Sequence, residues 1–466
     1  MGTLSSLVDL SREALLADQA ALDITSNNVA NQNTAGYTRQ VAVWQSGDQI
    51  TINGATLGSS AVSAISQRDR ILEQRVQQQT QVQTQSGAIE SALQQVQNVF
   101  GLTSTASSST TTALASAIDS FFSALSTLGT NPSNASTRQS VLSAAKTLVA
   151  AFNAAANQLG QVSSSLDQQA GTLVGNVNSL TSTIASLNQQ IASLSPGKDA
   201  GSLEDQRQLA IAQLSQYVGF NQISTEGNSI TLTTSSGALL VSGNQSYAMS
   251  TAQVAGISHV LAGLNGEDVT TSLTGGALGG TLQARDQELP VFSNALDNLA
   301  YAIGTQVNQL NAQGVDGNGA PGQALFTLPA NQSGAASTIQ MATTDPQAIA
   351  AAAAGEGASG NGNALAMADL ASANIVGGQT ATSFFSSLLG QIGSAASGAS
   401  TDNAAQQATL AQLTTQRNAL SGVSLDEEAA NLTQYQRSYQ AAAKVFSVVD
   451  SIMASALNLG EASTVS

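Results

Sequence analysis

The sequence predicts a mainly α fold with a β insertion: a long, coiled-coil-like helical shaft from paired N- and C-terminal halves, plus a small outer β domain. Three observations carry that prediction. Leu159, Leu166, Leu173, Leu180, Leu187 and Leu194 fall seven apart, with Ala170, Val177, Ile184 and Ile191 between them. Alternating steps of four and three define a coiled-coil seam. Both ends of the chain carry apolar stripes at helical spacing, and between Gly219 and Gly280 the period changes to two.

At the N-terminus the stripe is Val8, Leu15, Leu22 and Val29, helped by Leu4, Leu7, Ala14 and Ala21. From Ile71 to Phe100, Val82, Ile89 and Val96 with Ala92 and Val99 keep heptad spacing, and Gln fills the face expected to meet water. No proline stands between Pro132 and Pro196. The leucine heptad therefore supports one helix of about 36 residues, about 54 Å long, and Pro196-Gly197 ends it. In the insertion Ser229-Ile230-Thr231-Leu232-Thr233 alternates, and Gly227-Asn228 and Ser236-Gly237 read as turns. This insertion is expected to project sideways and to contribute little to the shaft seam.

Helical pattern resumes at Pro290 with Phe292, Leu296, Leu299, Ile303 and Leu310. Asn331 to Asn363 reads as loop-rich, before Phe384, Phe385, Leu388 and Leu389 restore the helix. In the last helix Leu425, Leu432, Tyr439, Phe446 and Met453 form one row, with Tyr435, Ala442, Val449 and Ala456 between. Neither terminal stripe is long enough to fold well alone. The expected division is 1–32 with 430–466 as a terminal coiled coil, 33–218 with 285–429 as the helical shaft, and 219–284 as the outer β domain.

Composition narrows the function. Over 466 residues, hydrophobic residues make up 42 %, enough for a buried core and for about three domains. Charged residues are only 9 % and aromatics 4 %, which suits packed helices better than a catalytic site. Thirteen basic against 29 acidic residues leave a net charge of −16, which repels phosphate backbones and argues against a nucleic-acid partner. No apolar run is long enough to span a bilayer. Cysteine is absent, which excludes disulfides and thiolate metal sites and leaves the redox compartment open. Asp9, Arg12, Glu13 and Asp18 interrupt any signal-peptide core, so the expectation is a cytoplasmic chain or one exported without cleavage.

Candidate chemical motifs are weak. His259 is the single histidine, so no multi-histidine or Cys–His metal site exists, and it reads as a surface or half-buried residue of the β domain. Gly355-Glu356-Gly357-Ala358-Ser359-Gly360 has the letters of a dinucleotide fingerprint, but an alanine run precedes it and Asn361-Gly362-Asn363 follows. The required strand before and helix after are missing, leaving a loop. Asp316-Gly317-Asn318-Gly319 has too few ligands for calcium and reads as a tight turn. Glu427-Glu428 open the C-terminal helix, where the dipole alone accounts for them. No catalytic, cofactor or metal residues are assigned.

Four segments carry a family resemblance. Asn28-Val29-Ala30-Asn31-Gln32-Asn33-Thr34-Ala35-Gly36-Tyr37-Thr38-Arg39 resembles the signature of flagellar rod, hook and hook-associated subunits: an Asn-rich helix end, a Gly36 turn and an extended segment with Tyr37, Val41 and Val43. Phe121-Phe122, Leu125, Asn131-Pro132, Arg138 and Val141 are similar to a helix–turn–helix of the first hook-associated protein family. Gly275-Gly276, Gly279-Gly280, Arg285-Asp286, Leu296-Asp297, Leu299-Ala300, Val307-Asn308 and Gly314-Val315-Asp316 resemble that family's return into the shaft. The last block, Ser421-Gly422-Val423-Ser424-Leu425-Asp426-Glu427-Glu428, runs on through Tyr435-Gln436, Tyr439-Gln440 and Ala443. Ala320 to Asn363 is too short for the additional outer domain of some relatives.

The resemblance implies a structural subunit of the bacterial flagellum at the hook–filament junction, not an enzyme and without a cofactor. It implies type III export, an extracellular position and a self-assembled ring. The implied neighbours are hook protein and hook-associated protein 3, and a cytoplasmic chaperone holds the C-terminal helix; neither nucleic acid nor a membrane span belongs to this picture. The terminal coiled coil would line the channel. Val8, Leu15, Leu22, Val29, Leu432, Tyr439, Phe446 and Met453 are then the candidate assembly interface. Asn31, Asn33, Thr34, Gly36, Tyr37, Leu425, Asp426, Glu427 and Glu428 are the family-signature residues. Hook protein or hook-associated protein 3 is the alternative inside the axial family, and a secreted adhesin the alternative outside it.

Overall fold

A computed structural model describes residues 2–34, 36–52, 55–102, 113–194, 201–224, 228–357 and 359–461. Ala35, Pro196, Gly197, Gly227 and Ala358, and the side chains of Leu4 and Ala456, lie outside the described residues. The chain is mainly helical with small sheets, as the periodicities predict.

Helix α1 (Gly2–Asn31) leads through the Asn-rich loop into an antiparallel hairpin of β1 (Gln40–Ile52) and β2 (Ala55–Ser66). The extended segment expected at Val41 and Val43 is strand β1. Gln40-Val41-Ala42-Val43-Trp44 alternates with period two and is rich in β-branched residues, which favours a strand. One face of the hairpin carries the pairs Ala42–Ala64 and Trp44–Val62, the other Val41–Ile65 and Val43–Ser63.

Helix α2 (Arg70–Val99) starts at Asp69, whose carboxylate accepts from the N–H groups of Ile71 and Leu72, both at 3.0 Å. Its Gln face is not solvated as expected. Gln77 and Gln81 are buried, whereas Val82 is 43 % exposed. The amides satisfy groups on neighbouring elements: Gln81 exchanges two hydrogen bonds with the Phe220 backbone, and Gln85 Oε1 accepts from Gly275 N at 3.0 Å. A carbon side chain there would leave those backbone groups unpaired.

Helix α3 (Ala113–Thr130) turns at Asn131-Pro132 into α4 (Ala135–Ser193), capped by the Asn134 side chain. At 59 residues α4 is far longer than the leucine heptad alone indicates. Its first half carries Val141, Leu142, Ala145, Leu148, Val149 and Phe152 on a buried stripe. That stripe packs in one core with α3 and with elements nearer the C-terminus: α7 (Leu289–Gln313), α9 (Gly362–Asp369) and the start of α10 (Ala381–Ser421). The second half buries Ala170, Leu173, Val174, Val177 and Ile184 in another core, against α5 (Gly201–Tyr217) and the β insertion.

The insertion has a four-stranded sheet of β3 (Phe220–Ser224), β4 (Ile230–Thr234), β5 (Leu239–Ser242) and β6 (Gln245–Ser246), and a three-stranded sheet of β7 (Ser250–Val254), β8 (Ile257–Ala262) and β9 (Glu267–Asp268). It lies on α4 rather than hanging from it. Asn178 pairs with both backbone groups of Met249 at 2.8 Å, and Asn188 donates to Ile230 O and Gly243 O. Asp167 accepts from Ser258 and from Arg285. Helix α6 (Gly276–Gln283) then packs so closely on α2 that a Cβ at Gly280 would stand 2.3 Å from Gln85 O. A short π turn joins α6 to α7. The stretch read as loop-rich also holds β11 (Gln340–Met341), paired with β10 (Phe326–Thr327), and the short α8 (Ala335–Thr338). After α10, helix α11 (Leu425–Glu461) returns alongside α1.

Candidate assembly site

Both chain ends meet at one polar cluster. Asn28 is buried in the last turns of α1. Its Oδ1 accepts from Tyr37 Oη at 2.8 Å and Gln40 N at 2.9 Å, and its Nδ2 donates to Gln40 O at 2.7 Å and Glu428 Oε2 at 3.2 Å. One side-chain amide thus ties α1, the loop, β1 and α11. Gly36 makes the turn between them. Its φ is +81°, and a Cβ there would press on Leu209 Cβ of α5 at 3.1 Å. Only glycine takes that conformation and that approach without strain.

The electrostatics centre on Arg39. Its Nε donates to Glu428 Oε1 at 2.8 Å, and its Nη1 lies 2.6 Å from Glu427 Oε2. The Glu428 side chain is 1 % exposed, that of Glu427 61 %. Helix-dipole complementarity is therefore not the whole reason for this pair of glutamates: a carboxylate buried this deeply requires a cation and hydrogen-bond donors. Burial pushes the Tyr37 phenol up to about 12, with Asp205 and Glu428 adding to the rise. Burial also raises Tyr435, helped by Glu428 and opposed by Arg39. Tyr435 stacks at a tilt on Trp44, ring centres 5.4 Å apart. Arg68 extends the cluster to α5, donating to Thr38 Oγ1 at 3.0 Å and pairing with Asp205. Burial lifts the Asp205 carboxyl despite Arg68 and the hydrogen bonds from Thr38.

The sequence-derived residues scatter around this cluster. Tyr37, Glu427 and Glu428 are in it; Gly36 shapes its loop. Asn31 is half-buried and bonds locally to Asn27 O and Thr34, while Asn33, Thr34, Leu425 and Asp426 are exposed. Val8, Leu15, Leu22, Val29, Leu432, Phe446 and Met453 are half-buried, and Tyr439 is 39 % exposed. The row of α1 that faces inward is instead Ser11, Ala17, Asp18, Ala21, Ile24, Thr25 and Asn28. Small residues let the helices approach, so the larger aliphatics flank the contact instead of filling it. Asn28, Arg39, Trp44 and Arg68, which sequence reasoning does not pick out, complete the cluster. A signal existed: Arg39 is a cation at the end of a loop otherwise free of charge.

The discounted motifs are filled by the chain itself. Glu356 accepts from the N–H groups of Ala353 at 3.0 Å and Gly362 at 2.9 Å, so its own carboxylate ties the two sides of this loop. Asp316 Oδ1 accepts from Asn318 N and Ala320 N, both at 2.8 Å, closing a tight turn. His259 Nδ1 lies 2.6 Å from Asp268 Oδ2. Among the described residues no group of acidic, His or Cys side chains has the makings of a metal site, and no helix is long and apolar enough to cross a membrane.

Comparison with known proteins fits this geometry. Residues 93–326 match the flagellar hook-associated protein FlgK helical domain, 416–459 the flagellar basal body rod FlgEFG protein C-terminal family, and 9–38 the flagella basal body rod protein family. Flagellar hook-associated protein 1 of Salmonella typhimurium is 25 % identical over 98 % of this chain and all of its own length. Its Escherichia coli counterpart is 25 % identical over 70 % of this chain, which spans 60 % of that relative. The fold resembles the flagellar hook junction protein FlgK from Burkholderia pseudomallei, with a TM-score of 0.67, 22 % identity, and coverage of 74 % of this chain and all of that one. A helical shaft whose first and last helices are locked together, with rod-type sequence at both ends, defines a flagellar axial structural protein. The chain belongs to the flagellar hook-associated protein FlgK family.

Proposed function

We propose that the chain is a structural, non-catalytic subunit of the flagellum that self-assembles as a ring at the hook–filament junction and adapts hook to filament. The observation that carries this reading is the paired α1 and α11. They are joined at one end by Asn28–Glu428, with Arg39 of the following loop on the same carboxylate, yet they leave Leu7, Leu16, Tyr439, Val445, Val448 and Ile452 exposed. Covering each large side chain between copies contributes about 1.5–3 kcal/mol. The half-buried Val8, Leu15, Leu22, Val29, Leu432, Phe446 and Met453 extend these stripes and, with Tyr439, form the proposed assembly interface. Hook protein on one side and hook-associated protein 3 on the other are its neighbours. Export through the type III apparatus delivers it outside the cell, and a cytoplasmic chaperone covers the α11 stripe beforehand.

The test is deletion of the gene in the organism that carries it. Electron microscopy should show hooks without filaments, with filament protein released to the medium, and the wild-type gene should restore attachment. Normal filaments on the deletion strain would rule the reading out.

A further inference from the structure

Arg207 of α5 is 2 % exposed, yet among the described residues no carboxylate stands within ion-pair distance of it. Its Nη1 donates to Asn188 Oδ1 at 2.9 Å and to Asn228 O at 2.6 Å, and its Nε makes no hydrogen bond within the chain. A buried guanidinium requires a counter-charge as well as acceptors. Arg207 lines a cavity of about 40 Å³ where α2 and α5 meet strands β3 and β4, roomy enough for a water-sized species. Arg68, Arg70, Glu73 and Glu204 line it too. Both acids are engaged elsewhere: Glu73 stands 3.8 Å from Arg417, and Glu204 accepts from Asn228 Nδ2. Arg68 is held by Asp205. Arg70 is exposed and, among the described residues, has no ion pair. Gln222 Oε1 of β3 is buried at the same place without a partner, and turning that amide over presents its N–H donors instead. Burial lowers the Arg207 pKa against the pull of Glu204, and Arg68 and Arg70 lower it further.

We propose that this cavity binds one small inorganic anion, which accepts from Arg207 Nε and the Gln222 amide while Arg70 balances its charge. The donors gathered here suit a ligand that only accepts. The anion fastens the β insertion to the shaft, because the Asn188 that Arg207 holds also bonds both backbone groups of Ile230 in β4. The site is remote from the terminal helices and stands independently of ring assembly.

The test places the purified full-length chain in sodium chloride, sulfate or phosphate and, at equal ionic strength, in sodium gluconate, whose anion is too large for the cavity. Gln222→Glu is the control, since its carboxylate supplies the counter-charge from the chain itself. With the small anion at about ten times its Kd, amide exchange of β3 and β4 should slow about tenfold in the wild type. Gln222→Glu should show only the general salt effect common to both chains. The salt with the largest difference between the two chains identifies the occupant. Arg70→Gln, at an exposed position, should need several times more of that anion for the same slowing. A bromide-soaked crystal should give an anomalous peak within hydrogen-bond distance of Arg207 Nε. If gluconate protects the wild type as well as the small anions do, the cavity holds water and the proposal is overturned. Bromide density without anion-specific slowing would be an adventitious ion only and would equally overturn it.

Discussion

Arg39 and Glu428, 389 residues apart in sequence, share a hydrogen bond of 2.8 Å in which the carboxylate is almost wholly buried. The pair closes the chain on itself: without it, α11 meets the rest of the molecule mainly along one helix.

Removing one partner leaves the other charge buried and unpaired. Arg39→Met or Glu428→Ala is expected to cost about 3 kcal/mol in the docking of α11. Glu427→Gln, at an exposed carboxylate, is expected to cost under about 1 kcal/mol. Amide hydrogen exchange along α11 reads this directly. Equal protection in all three variants would show that the helix is held by its apolar contacts alone.

Substitutions along α11 should separate its faces. Phe446→Asp places a carboxylate in the half-buried row toward α1 and is expected to detach the helix, at several kcal/mol in order of magnitude, about 2–5. Ser438→Asp, on an exposed position, should leave the fold intact. Tyr439→Asp should resemble Ser438→Asp in the isolated chain, since Tyr439 is exposed, and show its effect only on filament attachment. Proteolysis of α11 together with microscopy of the complemented strain distinguishes the two kinds of loss.

Tyr37 gives an alkaline signature. Its folded pKa of about 12 lies above that of a free phenol, so folding favours the neutral side chain. The stability it contributes is complete below about pH 10, the ordinary tyrosine value, and is lost as pH climbs toward the folded value. Ultraviolet titration of the phenolate band should find Tyr37 and Tyr435, of the six tyrosines, ionising later than a free phenol, and Tyr37→Phe should remove the Tyr37 share of that late phase. The same variant should lose about 1 kcal/mol with its hydrogen bond to Asn28. A titration unchanged by Tyr37→Phe would contradict the burial of this phenol.

Excising Gly219 to Gly280 should now be damaging, contrary to the view of an insertion that contributes little. Val174, Val177 and Ile184 of α4 would each lose cover, at about 2 kcal/mol per side chain. The shortened chain is expected to aggregate or to lose helix, seen by circular dichroism and light scattering. A soluble, fully helical product would restore the detachable-insertion view. Gly280→Ala is a gentler probe: its Cβ meets Gln85 O, so α6 must move off α2.

The helices and their ends were legible because they are local. Leu159 to Ile191 announces a helix whatever lies against it, since seven-residue spacing puts those side chains on one stripe. Asn134 and Asp69 cap in the same local way. What covers each stripe is not local. The leucine heptad reads as one coiled-coil seam, but its cover changes along the helix. Leu159 joins the core with α3 and α7, Leu166 packs with Ala92 and Ala284, and Leu173 to Ile184 lie under α5 and the β insertion, because each partner only requires an apolar face. The Gln face of α2 reads as solvated, and burial reversed that, because Gln81 and Gln85 answer backbone groups of residues more than a hundred positions away. The extended segment at Val41 and Val43 is legible in the sequence, whereas its pairing with Ala55–Ser66 in a hairpin is set by tertiary structure. The two signature blocks were visible separately as an Asn-rich helix end and an acidic helix start. Their union through Arg39, Asn28 and Glu428 was decided only by tertiary structure, since a buried charge is matched in space and its partner leaves no mark in the neighbouring sequence.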